Sequence, residues 1–396
     1  MEAEAEAAAA GGDVDGGSST RAGSGAGAGS GESAQPVRLR FQTTHFGMSV
    51  GICAQALMWT RLGAAFPGTV PPWLAPGLAG AGAAVLVASV ALYASKAVAF
   101  PEAVRRELAH SVKGNFAVAP ALALAFLSLA SPWPWLARAG FCVAAAAQLA
   151  FGLLKYGAWV AGPASAGLRD GNPAHFFAIV LNLVVATLGM RPGVADVLAW
   201  APAVSRFFLA VGAFHWAVVV ANLYLREGRA TGGAAPPRDL PVPLRPLLLL
   251  PMAPPMAASV AMLACHGPAA APLAEALFFV GAFHFLLCVR LAPYIAGVVA
   301  DDGTRRAPAW TMAYWASTFP TVACCLAALG LHLTPLAVAF AATATLAFTA
   351  TLTSTLRAAA LGHMLPPDPD SADLAAAHAA AHAAAAAAAA ALRKAS

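Results

Sequence analysis

Charge is scarce in this chain: Asp, Glu, Lys and Arg make up 10% of its 396 residues, against about a quarter in an average soluble domain. Acidic side chains are almost missing from the apolar stretches, where Glu275 alone stands near one end. That shortage argues against a soluble enzyme and against a carrier that passes protons along buried carboxylates. No Walker, Rossmann or zinc pattern occurs, and Cys53, Cys142, Cys265, Cys288, Cys324 and Cys325 have no metal-ligand spacing. They read as reduced thiols packed as small hydrophobes. His378 and His382 share a helix face in an alanine-rich tail, but a bare pair lacks further ligands. No metal, cofactor or catalytic constellation is expected, so the chain reads as a non-enzyme. Residues 1–35 have no apolar core, so a cleavable signal peptide is not expected.

What is abundant is apolar sequence, 60% of the chain. It gathers into ten stretches: 43–63, 73–95, 115–132, 135–159, 173–190, 201–224, 244–265, 271–293, 308–332 and 336–359. About 20 helical residues, at about 1.5 Å each, cross a hydrocarbon core of about 30 Å. Of 23 Lys and Arg, only Arg61, Arg138, Arg191 and Arg206 fall on one side of such a membrane. The excess of basic residues marks the cytoplasmic side, which places both termini there. The same bias explains the net charge of +5 and removes nucleic acid as a partner. Three parts are expected: a disordered cytoplasmic tail over 1–40, a transmembrane domain over 41–362, and an alanine-rich cytoplasmic tail over 363–396. Gaps on the non-cytoplasmic side are short, so the fold class is all-α and polytopic, with ten helices paired as five hairpins.

Prolines divide the stretches. Pro120, Pro173, Pro254, Pro255 and Pro320 all lie in odd-numbered ones, whereas the even ones are nearly free of interior proline, Pro293 excepted. A helix-interior proline frees a carbonyl, and in lipid that carbonyl must sit against protein or water. The odd helices are therefore expected inside, around a central pore in each protomer, with the even helices outside. The odd stretches are rich in small residues and bring hydroxyls from Ser49, Ser259, Ser317 and Thr318 but no fixed negative charge. Such a lumen suits an anion drawn by basic residues at its mouth, for which Lys155, Arg245 and Arg290 are candidates. Interfacial anchoring is an equal alternative for those three. His175, His215 and His284 are the remaining titratable candidates, each read first as a hydrogen-bonding residue between helices.

Several runs carry a family resemblance. Tyr93, Lys96, Phe100, Val104–Arg105–Arg106–Glu107, His110, Asn115–Phe116 and Ala119–Pro120 resemble the second-to-third helix segment of plant slow-type anion channels. Lys155–Tyr156–Gly157 with Trp159, Asn172–Pro173 and Asn182 are similar to their K-x-Y-G-x-W and N-P segments. His215, Leu223–Tyr224, Leu244–Arg245–Pro246, Ala253–Pro254 and Ala257–Ala258–Ser259 resemble helices six and seven. Ala313–Tyr314–Trp315 through Thr318–Phe319–Pro320 resembles the ninth-helix A-W-W-x-x-T-F-P motif. The resemblance covers about residues 40–360. It implies a plasma-membrane homotrimer, each protomer passing chloride or nitrate and gated by the ninth-helix phenylalanine, here Phe319. Phe116, Pro120, Ser259, Ser317, Thr318 and Pro320 are the pore-lining candidates. The family's N-F-F-F-A-P is Asn115–Phe116–Ala117–Val118–Ala119–Pro120 here, a departure that implies a second aromatic barrier missing or displaced. The tails match short-tailed homologues, for which kinase control is a weak expectation. A heteromer with a homologous channel, a silent modulating subunit, and a proton-coupled dicarboxylate carrier like the family's bacterial relatives are the alternatives.

Overall fold

The computed structural model describes residues 35–161, 172–225, 242–298 and 311–395. Most of the expected amino-terminal tail and the basic loops 162–171, 226–241 and 299–310 lie outside the described residues, as does the side chain of His382. Among the described residues the chain is helical throughout, with no strand. In chain order the α-helices are α1 (Val37–Arg40), α2 (Gly47–Ala65), α3 (Leu74–Ala99), α4 (Pro101–Ala109), α5 (Ala119–Ala130), α6 (Pro134–Ala161) and α7 (Phe176–Gly189). They continue with α8 (Ala201–Leu225), α9 (Ala253–His266), α10 (Ala271–Arg290), α11 (Ala292–Ile295), α12 (Trp315–Gly330), α13 (Thr334–Ala360) and α14 (Ala372–Ala395). Eight of the described helical segments are long and apolar enough to cross a membrane. The chain is a multi-pass membrane protein.

The helices fall into two kinds. α2, α5, α7, α9 and α12 are short and each follows a 3-10 segment: Thr43–Phe46, Lys113–Val118, Pro173–His175, Val242–Met252 and Met312–Tyr314. Three of these segments begin alike, with an extended residue (Gln42, Asn172 or Thr311) before the tight turn. At two of them a histidine ring three residues on bonds back to that residue's N–H, at 3.0 Å for His45 and 3.1 Å for His175. A 3-10 turn rises about 2.0 Å per residue, so Lys113–Ala130 still reaches about 30 Å despite its short α-helix. By contrast α3, α6, α8, α10 and α13 run unbroken for 20 to 28 residues.

Burial separates the same two sets. Of the most apolar window in Met312–Gly330, 72% is buried, against 11% in Leu74–Ala99. The buried helices close a ring, α2 against α5, α5 against α7, α7 against α9, α9 against α12, and α12 back against α2. Each long helix lies outside and touches two ring members: α3 on α2 and α5, α6 on α5 and α7, α8 on α7 and α9, α10 on α9 and α12, and α13 on α12 and α2. Small residues let the layers approach, since without a hydrophobic drive between helices in lipid the contact must come from close packing. A Cβ on Gly82, Gly140, Gly212 or Gly281 of four outer helices would strike Cys53, Ser128, Leu183 or Met256 of the inner ones.

The prolines do not act as the sequence reading expected. Pro120, Pro173, Pro254 and Pro255 sit in the first turn after an irregular start, where the missing N–H has no intrahelical acceptor anyway. Pro320 alone of the five lies within an α-helix. Pro120, Pro254 and Pro255 stand where 3-10 geometry gives way to α, and Pro173 opens a 3-10 segment.

One end of the bundle is tied by charge. Lys96 and Glu107 form a buried pair at 2.8 Å, and Lys96 also donates to the Phe41 carbonyl at 2.7 Å while Glu107 accepts from the Thr43 N–H. Beside it, α14 covers α4: Ala375 joins Leu39, Phe100 and Ala103 in a small apolar cluster, and Arg106 meets Asp373 at 2.9 Å. Lys113 reaches Asp368 at 2.8 Å and Asp370 at 2.6 Å.

Candidate functional site

Two cavities open at opposite ends of the helix ring. The first, about 1040 Å³, gathers the amino-terminal starts of the inner helices and is lined by Thr44, Phe116, Leu247 and Tyr314 among others. Its basic groups are Lys113 and Arg357, together with His45, His110 and His363. Burial and the adjacent Lys113 hold the His110 pKa below the ordinary histidine value, which keeps that ring neutral near pH 7. The second cavity, about 670 Å³, is lined from all five ring helices: Leu57 and Arg61 of α2, Phe126 of α5, Val184 of α7, Val260 of α9, and Phe319 and Leu326 of α12.

Between the two lies a chain of phenylalanine rings. Phe116, which lines the first cavity, stands 4.4 Å from Phe177. Phe177 meets Phe319 edge-on at 5.2 Å, and Phe319 stands 6.4 Å from Phe126. Phe116, Phe177 and Phe319 are at most 1% exposed. Rings packed at these distances leave no room for a hydrated ion, and their apolar surface offers it nothing in exchange for its water. Phe319 reaches this position one residue before Pro320. That proline has no N–H to offer the carbonyl one turn back, and both residues are buried.

The other predicted residues are spread out. Pro120 is half-buried in the first turn of α5. Ser317 donates to the Tyr314 carbonyl at 2.5 Å and Thr318 to the Trp315 carbonyl at 2.8 Å, so both hydroxyls are spent on their own helix. Ser259 is fully buried and its hydroxyl has no hydrogen-bond partner among the described residues. Arg245 is 1% exposed with its guanidinium 3.9 Å from the Tyr294 ring, Lys155 is half-buried on α6, and Arg290 is exposed at the end of α10. None of these three lines either cavity. The basic residues lining the first mouth are Arg357 and Lys113 instead, the latter paired with Asp368 and Asp370. The histidines are held apart: His175 bonds to Asn172, His215 lies on Tyr156 at 3.5 Å, and His284 accompanies Tyr224 at 3.4 Å.

Arg61 is the residue that sequence reasoning passed over, counting it only toward the charge on one side. It is exposed, lines the second cavity, and has no hydrogen-bond or ion-pair partner among the described residues. The signal was present: an ionisable side chain within an apolar span is costly and marks function by default. Phe177 and Phe126, the neighbours that seat Phe319, carried no motif to single them out.

A family profile described as voltage-dependent anion channel (SLAC1) matches residues 40–364. The S-type anion channel SLAH3 of Arabidopsis thaliana is 30% identical over 74% of this chain and 43% of its own length. The guard cell S-type anion channel SLAC1 of the same plant is 28% identical over 73% of this chain and 49% of its own. For its S-type anion channel SLAH2 the figures are 29%, 73% and 52%. The chain spans about half the length of these curated relatives.

Proposed function

Because the chain belongs to the SLAC1 family of voltage-dependent anion channels, we propose that it conducts chloride or nitrate across the plasma membrane along the axis of the five-helix ring, with Phe319 as the gate. The observation that carries this reading is the pair of cavities separated by touching phenylalanine rings. A conduit needs vestibules on both sides and one narrow barrier, and removing the barrier ring would join them. The absence of acidic side chains from the lining of the second cavity supports anions over cations. Arg357 supplies positive potential at the first mouth, where Lys113 is neutralised by Asp368 and Asp370, and the positive-inside bias assigns that mouth to the cytoplasm along with both termini.

In this reading the ring helices and their outer partners make ten crossings as five hairpins. The ring closes within a single chain, which supports one conduit per protomer in a homotrimer. Phe116 would act as a lesser barrier on the cytoplasmic side and Ser259 as a free hydroxyl in the wall. The test is two-electrode recording in oocytes with chloride and nitrate exchanged in the bath. Phe319→Ala is expected to raise anion conductance several-fold over the wild type at equal surface expression. Unchanged currents from a correctly trafficked variant would remove Phe319 as the gate.

A further inference from the structure

The second cavity holds a feature that a barrier and two vestibules do not require. Its wall is apolar over most of its extent, yet Arg61, which has no hydrogen-bond or ion-pair partner among the described residues, stands on its lining. The other arginines nearby are differently employed. Arg191 donates to the carbonyls of Ser128 and Ser131, and Arg138 to that of Gly193 at 3.3 Å, so each fastens a turn. No acidic side chain lines the cavity to neutralise Arg61, and Asp196 instead accepts from the Gly193 N–H at 3.0 Å.

We propose that Arg61 is an anion-binding site on the carboxy-terminal side of the Phe319 barrier, and that it selects a planar monovalent oxyanion, of which nitrate is the example, over a spherical halide. The site deepens the conduit reading and rests on it for its role in permeation. The preference follows from shape. A guanidinium presents parallel N–H donors in one plane and pairs with two oxygens of a trigonal anion at once, whereas a halide accepts at a point. Low-dielectric walls strengthen the pairing relative to bulk water. A single free charge suits a monovalent ion, and its exposed position allows the ion to leave again, as conduction demands.

The discriminating substitution is Arg61→Lys, which keeps the charge and removes the fork. In oocyte recordings, half-saturation of anion influx by bath nitrate is expected at several-fold lower concentration than by chloride in the wild type. That ratio should fall to about one in Arg61→Lys, and both concentrations should rise in Arg61→Gln. A wild-type nitrate-to-chloride ratio retained by both variants would overturn the site while leaving the conduit intact. A second measurement does not depend on current. The full chain, purified in detergent, is melted in nitrate, chloride or gluconate at constant ionic strength, and the wild type is compared with Arg61→Gln. Nitrate should raise the melting temperature of the wild type relative to that of the variant. Such a gain in a chain that carries no current would keep the site and discard the conduit; equal melting of both proteins in every salt would discard the site.

Discussion

Phe319 owes its position to neighbours contributed by three other segments. Phe126, Phe177 and Phe116 extend its contacts from α5, α7 and the 3-10 turn before α5, so Phe319 belongs to a packed cluster of rings. Small residues do an opposite job at the same scale. A Cβ on Gly51 would lie 2.3 Å from the Thr318 hydroxyl oxygen, and one on Gly140 would lie 1.9 Å from that of Ser128. The Thr318 hydroxyl donates to the Trp315 carbonyl of its own helix and that of Ser128 to the Leu136 carbonyl of α6, so each is committed to backbone. Gly140→Leu is expected to cost about 1–3 kcal/mol through overpacking, read as a lower melting temperature in detergent. Gly77→Leu, with nothing within 4 Å of its Cβ, should leave it unchanged.

At the scale of elements, the inner segments share one plan: an irregular 3-10 start, then a short and mostly buried α-helix. A 3-10 start has poorer hydrogen-bond geometry and is tolerated in a membrane only where protein surrounds it. The outer helices face lipid and stay regular. Between α3 and α4, Lys96 and Glu107 form the charged clamp that secures Phe41 and Thr43 at the entry to α2. Breaking one partner of a buried pair leaves the other charge without compensation, and Glu107→Ala should cost about 3–5 kcal/mol. Lys96→Met combined with Glu107→Leu should cost clearly less, because no charge is then stranded. Chemical denaturation of the three proteins in detergent checks the order. The turn before α14 adds a polar strap at the same end, where Asp368 and Asp370 pair with Lys113, a contact invisible in an alanine-rich run read by composition.

For the whole molecule, closure of the ring by one chain is the governing fact. If each protomer encloses its own conduit, co-expressed wild-type and Phe319→Ala chains should give currents that add in proportion to the amounts of each. A strongly non-additive dependence would mean that protomers share a pathway.

Much of this was legible beforehand. Apolar length and scarce charge dictate helices in lipid, and the side bias of Lys and Arg orders them. Proline and small-residue content distinguished the stretches that turn out buried from those that do not, although the prolines mark helix starts rather than bends. The family motif singled out Phe319, which the structure places among the rings between the two cavities. The mouth residues were not legible: Lys155, Arg245 and Arg290 lie on the right charge pattern but away from the cavities, while Lys113, Arg357 and Arg61 line them. A helix that is apolar on every face carries little amphipathic pattern to say which side meets the axis. The sequence alone therefore determined what kind of segment each stretch would be. Only the packing of five helices against one another decided which side chains face the axis, because that depends on rotation and close approach, and neither leaves a periodic trace in an all-apolar run.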